Sequence, residues 1–147
     1  MKKLLQYLLF LLFSSQGHAQ TCLPQGILFS NQAAIDSFQI HYPNCTNIEG
    51  DVTITGENIT NLTGLNVLAS IGGDFYIEDN AKLTSLEGLE SLNFIGQDLG
   101  INRNVVLKSL SGLVVLSYIG QDLRIVDNTE KLLISAGFRI FGLKISA

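Results

Sequence analysis

The chain of 147 residues carries 9 Lys and Arg against 13 Asp and Glu, a formal net charge of −4, and its 46% hydrophobic content is enough for one core in one domain. An acidic balance with no run of like charge excludes nucleic acid and anionic membrane surfaces as partners, because both reward clustered Lys and Arg.

The first element is a targeting segment, residues 1–19. Lys2 and Lys3 form a basic start, an apolar run follows over 4–13, and Ser14 to Ala19 is small and polar. A run this short does not cross a bilayer core, which needs roughly 20 apolar residues. The pattern is that of a secretory signal peptide cleaved after Ala19, so the protein is expected to be exported to the periplasm, the cell surface or the medium, with no transmembrane segment in the mature chain. Cleavage leaves seven basic residues against thirteen acidic ones, a formal charge of −6. Ala19-Gln20-Thr21 ahead of Cys22 makes a poor lipobox, which argues against a lipid anchor.

Residues 20–47 read as an N-terminal cap. Cys22 and Cys45 are the only cysteines, and an even pair in an exported chain predicts a disulfide. Ser30 or Asn31 is placed to cap a short helix through "NQAAIDSFQIHY", with Ala34, Ile35 and Phe38 on one side and Pro43 as the stop. His41 and Tyr42 mark a site only by residue type, with no supporting pattern.

From 48 to 128 the chain repeats itself. The units "IGGDFYIEDNAKLTSLEGLESLNF" from Ile71 and "IGQDLGINRNVVLKSLSGLVVLSY" from Ile95 share the pattern I-G-x-D-L-x-I-x-x-N-x-x-L-x-S-L-x-G-L, with less regular copies starting at Ile48 and Ile119. The steps are 23, 24 and 24 residues. Two hydrophobic periods coexist in each unit. Phe75 and Ile77, Leu99 and Ile101, and Leu123 and Ile125 alternate with polar or small neighbours, a strand signature. Leu83, Leu86, Leu89, Leu92 and Ile95 instead recur every third position, which fits a chain winding round a core in short extended or 3₁₀ segments.

These periods define the expected fold: mostly β, a right-handed parallel β-helix or leucine-rich-repeat-like solenoid of about 24 residues per coil, one strand per coil, with a short N-terminal helical cap. Stacking would place Asn80, Asn104 and Asn128 in one ladder, where inward amides satisfy backbone groups at a turn. Asp51, Asp74, Asp98 and Asp122 would form another at the strand start, read as turn-capping carboxylates rather than a metal site. No cofactor or metal is implied. Residues 129–147 lose the register and read as an irregular C-terminal tail or a truncated last repeat. An exposed last coil would leave an unpaired parallel edge, from which self-association is expected.

The cap followed by "ITNLTGLNVLASIGGDFYIEDNAKLTSLEGL" resembles the secreted leucine-rich repeat proteins of Bacteroidetes whose repeats are similar to the receptor L-domain. The resemblance implies a non-enzymatic binding or adhesion module that presents a sheet face to a protein or glycan, and it carries no catalytic residue onto this chain. The outward strand positions are Thr53, Thr55, Tyr76, Glu78, Gly100, Asn102, Arg124 and Val126, and the candidate ligand face is Tyr76, Glu78, Asn102 and Arg124. A fragment of a longer repeat protein without activity of its own is the alternative. A polysaccharide-active enzyme needs converging carboxylates in a cleft, and no long loop interrupts a coil to build one.

Overall fold

A computed structural model describes residues 20–129, Leu132 and the strand Ile145–Ser146; the segment 1–19 and most of the tail lie outside the described residues. In chain order the elements are β1 (Gln20–Cys22), β2 (Ile27–Phe29), α1 (Gln32–Asp36), α2 (Phe38–His41), β3 (Cys45–Ile48), β4 (Val52–Ile54), β5 (Ser70–Ile71), β6 (Phe75–Glu78), β7 (Phe94–Ile95), β8 (Leu99–Asn102), β9 (Tyr118–Ile119), β10 (Leu123–Val126) and β11 (Ile145–Ser146). Every pairing is parallel. The first sheet has the order β1-β3-β5-β7-β9 and the second β11-β10-β8-β6-β4-β2. Each coil therefore contributes two strands where the sequence pattern predicts one, and from β5 to β10 the first-sheet strand has two residues and the second-sheet strand four. The repeated Ile-Gly-x-Asp-Leu is the corner between them: Ile71, Ile95 and Ile119 end the short strands, and Phe75, Leu99 and Leu123 begin the long ones.

The period-three leucines have a direct hydrogen-bond explanation. Leu65 N–H donates to the Leu62 carbonyl, Leu68 to Leu65, Leu89 to Leu86, Leu92 to Leu89, Leu113 to Leu110 and Leu116 to Leu113. Each donor bonds three residues back, so the return segment is a chain of three-residue turns, two of them 3₁₀ at Thr63–Leu65 and Ser111–Leu113. One leucine points inward per turn, and Leu62, Leu65, Leu68, Leu83, Leu86, Leu89, Leu92, Leu107, Leu110, Leu113 and Leu116 are all buried. With Phe75, Ile77, Leu99 and Ile101 from the second sheet they form one continuous core.

Polar ladders lock the coils in register. At the end of each long strand Asp79, Arg103 and Asp127 take φ of 58°, 55° and 54°, and this left-handed residue turns the next side chain inward. The inward residue is Asn80, Asn104 or Asn128. Asn104 Oδ1 accepts from the backbone N–H and the Nδ2 of Asn80, at 3.2 and 3.0 Å, while its own Nδ2 donates to the Ile77 carbonyl at 2.8 Å. Asn128 repeats these bonds on Asn104. The aspartates act as the sequence pattern predicts: Oδ1 of Asp51, Asp74 and Asp98 each accepts the backbone N–H of the next aspartate along, at 2.9 Å.

The cap covers the first coil. Asn31 Oδ1 accepts from Ala34 N–H at 2.9 Å, the expected N-cap, and Ile35 and Phe38 are buried, but the expected single helix divides at Ser37 into α1 and α2. Gln32 reaches across to accept from Thr60 N–H at 2.8 Å, and Gln39 donates to the Gly64 carbonyl at 3.1 Å. Cys22 and Cys45 are disulfide-bonded with Cα atoms 5.7 Å apart, tying β1 to β3. In the chain-entropy picture a bridge over a loop of this size contributes about 3 kcal/mol. At the other end β11 lies alongside Leu123 and Arg124, so part of the β10 edge expected to stand open is paired.

Candidate functional site

The long strands of the second sheet turn one face to the core and the other outward. On the outward face Leu28, Thr53, Tyr76, Gly100 and Arg124 stand in one row, each the direct partner of the next, and Glu78, Asn102 and Val126 form a neighbouring row. All four residues of the expected ligand face, Tyr76, Glu78, Asn102 and Arg124, are therefore neighbours on β6, β8 and β10.

Gly100 shapes this patch. A side chain there would collide with the Tyr76 ring, whose Cε1 would lie 2.7 Å from an added Cβ. The glycine lets the ring lean across β8, where it is half-buried. Burial raises the Tyr76 phenol above its ordinary pKa, and the carboxylates of Asp74 and Asp98 push the same way, with Arg124 opposing them. The phenol is therefore a neutral donor at physiological pH. A raised folded-state value means that its stabilisation is present below the unfolded value near 10 and is lost as pH rises through the folded one. Beside it the Oδ1 of Asn102 is buried without a hydrogen-bond partner, an unmet acceptor within the patch.

Ion pairs engage both charged residues of the patch, Glu78 and Arg124. Arg103 grips Asp79 through two bonds of 2.7 Å and reaches Glu78 at 3.1 Å. Its hydrogen bond holds the Asp79 carboxyl below the ordinary value of 3.8; that contribution exists above the unfolded value and disappears as pH falls through the lower folded one. Arg124 lies 3.6 Å from Asp122. These pairs are exposed and add little stability.

One surface feature is absent from the expected face. Phe94 and Tyr118 stack on the outside of the first sheet, ring centroids 4.9 Å apart and planes within 4°, and they are 38% and 50% exposed. Their signal in the sequence is aromatic residues exactly one repeat apart, just before the corner isoleucine. A pattern with one strand per coil gives that position no face of its own.

Two parallel ladders wound from repeats of 23 and 24 residues define a parallel β-solenoid of the kind that displays ligand-binding surfaces. The receptor L domain family model matches residues 44–135, and the chain belongs to that family, a ligand-binding repeat module that is typically non-catalytic. No curated protein and no solved structure matches the chain. No helix among the described residues is long and apolar enough to cross a membrane, and the disulfide is consistent with an extracytoplasmic location.

Proposed function

We propose that the chain is an exported, non-enzymatic binding module that holds a protein or glycan ligand on the outer face of its second sheet. Tyr76 is the aromatic anchor, and Glu78, Asn102 and Arg124 are the polar contacts. The observation that carries this reading is the patch itself. Four side chains that do not repeat from coil to coil stand together on adjacent strands, around a glycine that lets an aromatic ring lie across the sheet. Tyr and Arg dominate the energetics of interfaces because they combine large contact area with directed hydrogen bonds. Carboxylates suited to hydrolysis do not converge here: Asp74 and Asp98 each spend an oxygen on the backbone of the next coil.

The test is binding of the purified chain to arrayed extracellular proteins and oligosaccharides, repeated with Tyr76→Ala/Arg124→Ala. The expected result is affinity for an arrayed ligand that falls at least about tenfold in the double variant, with folding unchanged. Equal affinity in the double variant contradicts this face as the site.

A further inference from the structure

The first sheet carries a second surface of different chemistry. Its strands β5, β7 and β9 have two residues each, so each of those coils shows one outward residue, and the register aligns Thr21, Asn47, Ser70, Phe94 and Tyr118 in a single row. None of these side chains is ionised at neutral pH, in a chain whose net charge is −4 and whose other sheet face is lined with carboxylates and guanidinium groups. The row is graded: hydroxyl and amide groups at one end, two stacked rings at the other.

The stacking leaves one ring face available. Phe94 gives one face to Tyr118, and its opposite face looks along the sheet toward Ser70, the partner of Phe94 in the register. Serine is too short to cover a phenyl ring, and Phe94 is 38% exposed. The stack helps to join the β7 and β9 coils, and it still leaves aromatic surface open to water on the side away from Tyr118. The repeat does not require it, since the same row holds Asn47 and Ser70 in earlier coils.

From this row we infer a binding site for a neutral hexopyranose unit of a glycan, seated on the free face of Phe94 above Ser70. A pyranose ring has one apolar C–H face and a rim of hydroxyl groups, each both donor and acceptor. The C–H face matches the phenyl ring, and the Ser70 hydroxyl and Asn47 amide, also both donor and acceptor, match the rim. Charge complementarity selects the neutral sugar. A uronate or sialate would meet no cation in this row and would face the negative charge of the whole chain, and a basic segment would find no carboxylate in the row to pair with. The site is separate from the Tyr76 patch and stands or falls independently of it.

The experiment is an array of neutral hexose oligosaccharides alongside uronate- and sialate-containing ones, probed with wild type, Phe94→Ser, Tyr118→Ser, the double variant and Ser70→Arg. Serine already occupies this row at position 70, so the fold tolerates it, and a melting curve for each variant confirms folding. Expected is binding to neutral oligosaccharides that changes little with salt, weakens at least about tenfold in Phe94→Ser, and is also lost in Ser70→Arg, where a long side chain covers a ring face left intact. Absence of binding to every neutral oligosaccharide overturns the inference, as do binding confined to the acidic ones and binding indifferent to both Phe94→Ser and Ser70→Arg. A wild-type dimer by ultracentrifugation that Phe94→Ser/Tyr118→Ser dissociates, without neutral glycan binding, overturns it in favour of a second copy of this chain.

Discussion

Replacing Asn104 by alanine is expected to lower the melting temperature by more than about 10 °C, reflecting a loss of about 3 kcal/mol. The side chain is fully buried and joins three coils. Its Oδ1 accepts two hydrogen bonds from Asn80, and its Nδ2 donates to the carbonyls of Ile77 and Asn102 and to Asn128 Oδ1. Alanine removes all five bonds and leaves the Asn80 N–H groups without an acceptor in a dry interior, where each unmet group costs about 1–3 kcal/mol. Asn104→Asp keeps the shape and the acceptors but loses the donor and buries a charge, so it is expected to be no better. Asn128→Ala, at the partly exposed end of the ladder, is expected to cost less. Thermal unfolding followed by circular dichroism ranks the three. Similar melting curves for Asn104→Ala and wild type would remove the ladder from the account of stability.

Gly88→Ala is expected to have an effect of comparable size by a different route. Gly88 holds φ of 107°, a conformation that L side chains rarely adopt, and an added Cβ would run into the Leu62 carbonyl and the Thr63 nitrogen of the preceding coil. Those atoms are backbone within a hydrogen-bonded turn and cannot swing aside, so the coils must separate. Backbone strain of about 1–3 kcal/mol and a similar packing cost add to an expected loss of 3 kcal/mol or more. Gly100→Ala provides the contrast: its Cβ meets the Tyr76 ring, the far end of a side chain that can rotate, with Cε1 2.7 Å away. That variant should fold normally and disturb only the patch. Denaturant titration distinguishes the two, and an unchanged midpoint for Gly88→Ala would mean that the coils are less tightly apposed than the structure has them.

The features legible in the sequence are those that recur at a fixed spacing. Phe75 and Ile77 alternate with their neighbours as a half-buried strand must, and the every-third-residue leucines correspond to turns whose hydrogen bonds span three residues. The asparagine ladder was readable because a polar residue recurring in three units at one place inside an apolar pattern has to meet a backbone need. The first sheet was not. A strand of two residues, such as Ser70–Ile71, is too short to show a period, and its inward isoleucine merges with the leucine series. With that sheet unseen, Phe94 and Tyr118 had no common face. The left-handed turn at Arg103 was hidden for a related reason: its arginine gives no sign of the φ of 55° that glycine or asparagine would announce. On the candidate face the sequence supplied which residues point outward, but not that Gly100 accommodates the Tyr76 ring or that Asn102 Oδ1 lacks a partner. Those are consequences of lateral register, which links residues 24 positions apart.

The central claim is a division of labour: residues that recur from coil to coil hold the stack, and residues that change on its two outer faces are free to bind. It is tested most directly by a saturation-substitution scan of the displayed chain, scored by the amount of folded protein at each position. The expected result is intolerance recurring with the repeat at Asn80 and Asn104, at Gly88 and Gly112, and at the inward leucines, with broad tolerance at Ser70, Tyr76, Phe94, Tyr118 and Arg124. If those five positions prove as intolerant as Asn104, they belong to the scaffold and neither face is a binding surface.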